Sequence, residues 1–299
     1  MIDYFNNPIN ELNTQIFYTN SSGITSTSEW QIWQKPKNCK FVYFMVIGGG
    51  SGGGGGASGL AGTTRNGGGG GGSSAVTKGL FPANLLPDIL YVFVGKGGNG
   101  GAAATSGETG SLSYVSSQPN KELSNLLLVN GTGVPTGGFI TGGGSPGSAF
   151  NQFSAILSFY GVIGSNGGNQ GGNPGSSTGA TETQDMCITG GGAPGAGVVS
   201  TSNPGGSIAQ GLFTPTINGG SAGRNSGFSG VFSQFPSINS MSKSPLYFTG
   251  GSGGGSNNGG VGGDGGNGSY GSGGGGGGAG TTGGSGGSGG NGLVIITSL

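Results

Sequence analysis

Histidine is absent from this 299-residue chain, and charge is scarce, with nine basic and nine acidic residues. Without histidine the chain lacks the side chain that titrates near neutral pH, and its carboxylates are scattered from Asp3 to Asp264. General acid–base catalysis is therefore not expected, and the chain reads as no enzyme. So little charge removes the electrostatic footprint of a nucleic-acid binder, and also the repulsion that keeps disordered chains extended. The only two cysteines, Cys39 and Cys187, lie far apart and form neither a metal cluster nor a disulfide framework. They read as buried free thiols, and no cofactor or metal is implied. The longest fully apolar run, Phe41 to Ile47, falls short of the roughly 18 residues of a membrane span. The N-terminus has neither a basic region nor a long apolar one, so it does not read as a secretory leader.

What the chain has is glycine: 81 residues of 299, against a usual share of about 7%. Short apolar segments alternate with glycine tracts, the longest being Gly48 to Gly72, Gly95 to Gly110, Gly131 to Gly147, Gly164 to Gly206 and Gly250 to Gly292. The apolar segments are rich in β-branched and aromatic residues and predict strands at 15–18, 29–33, 40–47, 89–94, 111–115, 126–129 and 293–297. The 40–47 run is apolar at nearly every position, so both of its faces should be covered. No stretch keeps a helical period over three turns without glycine, so almost no α-helix is expected. The expected fold is mainly β: a small β-sandwich base plus an irregular glycine-rich body of packed polyglycine-II helices. Residues 1–47 are the N-terminal base segment, 48–292 the body with interspersed strands, and 293–299 a strand returning to the base.

The glycine tracts have two competing states, flexible linker and left-handed polyglycine-II helix, and the second is ordered only if neighbours supply partners for every N–H and C=O. At least five long tracts, each ending near an apolar segment, favour side-by-side packing. Few prolines and a loose triplet exclude collagen. Gly-x-Gly-x-x-Gly matches are expected by chance here, and none sits in a βαβ context. Gly95-Lys96-Gly97 lacks the rest of a phosphate loop, and two arginines are too few for RNA stacking. The sequons at Asn20, Asn130 and Asn267 carry little weight.

Side-chain variety is concentrated in islands between the tracts, where the aromatic residues cluster. Phe150, Phe153, Phe159 and Tyr160 form one island, Phe213 marks a second, and Phe228, Phe232, Phe235, Tyr247 and Phe248 a third. Such residues bring large rigid area at low entropy cost and are candidates for receptor or partner binding; their alternative role is to plug a core.

Three blocks, in this order, resemble the glycine-rich domains of bacteriophage and large-virus structural proteins. They are Val46-Ile47-Gly48-Gly49-Gly50-Ser51-Gly52-Gly53, then Tyr91-Val92-Phe93-Val94-Gly95-Lys96-Gly97-Gly98-Asn99-Gly100-Gly101, and the closing Gly286-Gly287-Ser288-Gly289-Gly290-Asn291-Gly292-Leu293-Val294-Ile295-Ile296. Related tip adhesins of T-even-type phages stack polyglycine-II helices and bind a host receptor through loops at the far end. The resemblance implies a virion structural protein, a surface or tail-fibre component for host attachment, exposed on the released particle. Its partners would be other virion proteins and a host surface receptor, a glycan or an outer-membrane protein. No nucleic acid is expected, the chain is not membrane-spanning, and a homo-oligomer is compatible with this reading. A capsid or fibre assembly component without receptor role is the alternative. An ice-binding or extracellular glycine-rich structural protein is a third, although the flat Thr/Ala face it would need is missing.

Overall fold

Side chains branched at Cβ, and aromatic ones, fit a pleated surface better than a helix, and the segments rich in them form strands. In the computed structural model, which describes residues 13–19, 29–139, 142–148, 160–162, 189–209, 216–229 and 248–299, these are β1 (Asn13–Tyr18), β2 (Trp30–Gln34), β3 (Phe41–Ile47), β4 (Val76–Pro82), β5 (Ile89–Phe93), β6 (Tyr114–Ser116), β7 (Leu126–Val129), β8 (Tyr160–Val162) and β9 (Leu293–Ser298). All pairings are antiparallel, in a five-stranded sheet of order β1-β9-β3-β4-β8 and a four-stranded sheet of order β2-β5-β6-β7. Helix among the described residues is limited to the 3-10 turn Ala83–Leu85.

The chain's last strand, β9, lies between β1 and β3, so the two ends of the sequence close one sheet. On β3, Val42, Phe44 and Val46 face the second sheet, where they meet Trp33, Leu90, Val92, Val115 and Leu128. Phe44 sits edge-on to both Trp33 and Phe81, with ring centroids 6.2 Å and 5.5 Å apart. The alternate residues Met45 and Ile47 turn the other way and pack with Val76, Leu293, Ile295 and Phe248. Both faces of β3 are thus covered, as its unbroken apolar run predicts. Strand β4 was not legible in the sequence, because Gly79 and Pro82 interrupt its β signal; pairing along the whole of β3 imposes it from outside.

At one end of the sandwich the strands run on into glycine tracts. In the tract 48–57, Gly49, Gly52 and Gly55 donate to Ser111, Glu108 and Thr105; Gly50, Gly53 and Gly56 donate to Gly290, Gly287 and Gly284; Ser51, Gly54 and Ala57 donate to Gly72, Gly69 and Asn66. Successive residues address three neighbours in rotation and every third returns to the same one, which is the three-residue turn of polyglycine II. Tract 271–280 is the most enclosed. It donates to the tracts around Ala193, Gly54 and Gly263, and accepts from those around Gly71, Gly254 and Gly287. Inter-tract hydrogen bonds on six sides satisfy a backbone that has none of its own.

Among the described glycines only Gly62, Gly223 and Gly271 take positive φ, so conformational freedom explains few of the rest. Close approach explains them: a Cβ on Gly276 would fall on the carbonyl of Gly68, and one on Gly273 on that of Gly71, both well inside 3.0 Å. Where serine enters the buried lattice its hydroxyl oxygen replaces a missing carbonyl. Ser252 Oγ accepts from Phe228 N–H at 2.6 Å, and Ser256 Oγ from Asn203 N–H at 2.7 Å.

Candidate functional site

A buried polar collar fixes the array to the sandwich. Asn130, fully buried at the end of β7, accepts the Ser113 N–H at 2.7 Å and donates to Ser74 Oγ at 3.0 Å and the Ala75 carbonyl at 3.1 Å. Its own carbonyl accepts from Thr77 Oγ1. Ser113 Oγ donates to the Ile47 carbonyl at 2.7 Å and accepts from Gly95 N–H at 2.9 Å. These residues lie where β3, β4, β5, β6 and β7 meet glycine tracts, so the collar sets the direction in which the array leaves the sandwich. Asn130 belongs to a sequon, and only its burial reveals a structural role.

From the collar the tracts run alternately away from the sandwich and back, and the array has two unlike ends. At the far end several connections are short, such as Ala104–Thr105, Gly223–Asn225 and Gly280–Thr282. The longer far-end turn 57–66 is tied down by Arg65, which is 4% exposed. Its guanidinium donates to the carbonyls of Thr63, Gly59 and Asn258 and to Asn258 Oδ1. Asn258 also binds Gly62 N–H and the Ser200 carbonyl, knitting three far-end turns together. No sequence signal marked the pairing of Arg65 with Asn258, since the two lie 193 residues apart in the chain.

The side-chain-rich islands attach at the opposite end. Ser148, Thr189 and Phe248, which flank them, lie beside the sandwich: Thr189 bridges Phe248 and donates to the Ser74 carbonyl at 2.6 Å, while Ile208 pairs with Ile217 and packs on Ala193 in the part of the array nearer the sandwich. Far-end loops, as the resemblance implies, are therefore not where these islands begin and end. Alternation of direction decides this, because a tract returning to the sandwich can leave it again only through a connection at that end.

The candidate aromatic residues divide accordingly. Phe228, beside Ser252, is 60% exposed. Phe248 is fully buried, its ring edge-on to Tyr270 at 5.6 Å within the outer core of the five-stranded sheet, so it is a core residue and not an anchor. Tyr160 opens β8 and pairs with Lys78 through the backbone. Phe150, Phe153, Phe159, Phe213, Phe232, Phe235 and Tyr247 lie outside the described residues. Replacing Phe248 with alanine should cost about 3–5 kcal/mol, the range for emptying a buried phenylalanine site. Phe228→Ala should leave the melting temperature unchanged, so thermal denaturation of the pair checks the assignment.

The second sheet carries an aromatic row that sequence reading assigned only to strands. Trp30, Phe93 and Tyr114 face each other across β2, β5 and β6, with centroids 5.5 Å and 6.0 Å apart. Lys121 Nζ lies 3.9 Å above the Phe93 ring, a cation–π contact that covers it. Burial pushes the Tyr114 phenol above its usual pKa, and desolvation lowers that of Lys78 on the other sheet. Ion pairs Lys35–Asp88 and Lys96–Glu29 sit at opposite ends of β5. Among the described residues no group of three or more His, Cys, Asp or Glu is placed to hold a metal ion, and no helix is long and apolar enough to cross a membrane.

No curated protein matches the sequence. The glycine-rich domain profile, by contrast, matches residues 25–299, from just before β2 through the array to the end of β9. By that match over nearly its whole length, this chain belongs to the glycine-rich domain family.

Proposed function

We propose that this protein is a virion structural protein, a surface or tail-fibre component in which a rigid polyglycine-II array supports host attachment through side-chain-rich segments. The observation that carries the reading is the division of labour between backbone and side chains. Tracts such as 48–57 and 271–280 are bonded on many sides and expose almost no chemical variety, so they suit a spacer and not a recognition surface. Recognition then falls to the islands flanked by Ser148, Thr189, Ile208, Ile217, Phe228 and Phe248, with Phe228 as the exposed anchor. With so few charges, binding would be apolar and weakly salt-dependent, directed at sugar faces or outer-membrane protein loops. The burial of Phe248 favours a second reading for part of the set, in which the islands serve assembly of a capsid or fibre and no receptor is bound.

Mass spectrometry of particles purified from cultures of the source organism tests the virion reading, which expects the protein at stoichiometric copy number. Its absence from all particles would sink both versions. If it is present, Phe228→Ala particles that assemble normally but adsorb less support attachment, and unchanged adsorption leaves assembly alone.

A further inference from the structure

A lattice of parallel and antiparallel polyglycine-II helices has no intrinsic boundary, since each outermost tract presents N–H and C=O groups on which another tract could dock. One side of this array solves the problem with side chains. Outermost there are the neighbouring tracts 261–269, 282–292 and 95–104: Gly265 and Gly268 donate to the carbonyls of Ser285 and Ser288, and Gly286 and Gly289 donate to those of Gly101 and Gly98. A second set of N–H groups in tract 282–292 is used inward, Gly284, Gly287 and Gly290 donating to the carbonyls of Gly278, Gly275 and Ser272 in tract 271–280. The remaining set, Ser285 and Ser288, meets no backbone acceptor. Instead Asp264 Oδ1 accepts from Ser285 N–H at 2.7 Å, and Asn267 Oδ1 accepts from Ser288 N–H at 2.8 Å. One tract over, Asn291 Oδ1 accepts from Gly97 N–H at 3.0 Å. Glu108 Oε2 takes Asn99 Nδ2 at 2.7 Å, with the Asn99 N–H at 3.4 Å.

We infer that Asp264, Asn267 and Asn291 are edge caps that close the lattice against a glycine tract of a second copy of this chain. Their spacing is the argument. Asp264 and Asn267 are three residues apart, as are Ser285 and Ser288, which matches the turn of the helix and puts one acceptor at each of these two outward N–H groups. Each side-chain oxygen occupies the place a further tract's carbonyl would take. The same tract carries Gly286 and Gly289, whose carbonyls accept no hydrogen bond among the described residues. Without the caps this edge would offer alternating donors and acceptors, self-complementary like the open edge of a β-sheet. The problem is the one that sheet edges pose, solved here at a three-residue period.

The test is Asp264→Gly with Asn267→Gly, followed by sedimentation velocity over a hundredfold concentration range, with Asp264→Asn as the variant that keeps the acceptor. The double variant should associate as concentration rises, whereas the parent chain and Asp264→Asn should show no added association. Deuterium exchange at the Ser285 and Ser288 amides should speed up in the dilute double variant and slow again on association. Should the double variant fail to fold, the single Asn267→Gly chain is measured instead, and the same increase is expected. A folded variant that sediments as the parent does at every concentration overturns the inference, as does association with no change at those two amides.

Discussion

Gly276→Val should abolish folding. Gly276 lies in the tract 271–280, whose neighbours on six sides are backbone, and a Cβ there meets the carbonyl of Gly68 and approaches Gly195 N. In an ordinary core an added methylene costs about 1–3 kcal/mol because side chains shift rotamer to admit it. Here nothing of that kind can move. Room for the valine requires separating whole tracts, and each separation breaks the inter-tract hydrogen bonds along its length. The loss should exceed the roughly 5–15 kcal/mol stability of a typical domain. Circular dichroism and thermal melting of the purified variant provide the measurement. Gly259→Ala is the matched control: a Cβ there finds nothing within 4 Å, φ is not in the left-handed region, and melting should hardly change. Equal behaviour of the two variants would mean that tract 271–280 is not enclosed.

Asn130→Ala should be the next most damaging change. It removes the acceptor for Ser113 N–H and the donor to Ser74 Oγ and the Ala75 carbonyl, all in the dry collar. A buried polar group left without a partner costs about 1–3 kcal/mol, so the total should be several kcal/mol. Asn130→Asp separates the two halves of the network: it keeps the acceptor, loses both donated bonds and adds a buried charge, so it should be at least as harmful. Denaturant titration of the three chains gives the ranking, and near-equal midpoints would show that water replaces the side chain. The collar holds sandwich and array together, so a single cooperative transition is expected in the parent chain.

Much of this molecule was legible in its residues. The strands at β1, β2, β3, β5, β7 and β9 follow from β-branched and aromatic clusters, and the unbroken apolar run of β3 announced two covered faces. Where local signals were broken by glycine and proline, as in β4, or short, as in β8, only pairing with a neighbouring strand reveals the element. The aromatic candidates show the same limit. Phe228 and Phe248 look alike in sequence, yet one is exposed and the other packs on Tyr270. Burial belongs to the partner surface, and that surface is far away in the chain.

What the sequence determined by itself was the kind of order available to it: glycine on this scale with little charge admits packed polyglycine II and leaves few strong helix or membrane segments. That outcome depends on composition and local spacing, which need no knowledge of neighbours. Tertiary structure alone decided which tract lies against which, and hence that tract 271–280 is central and that the islands attach at the sandwich end. It also decided that Asn130, Arg65 and Asp264 serve as collar, knot and cap. Backbone lattice contacts are chemically identical at every glycine, so residue type carries no address. The address comes from the strands, whose side chains differ and whose pairing fixes where each tract begins.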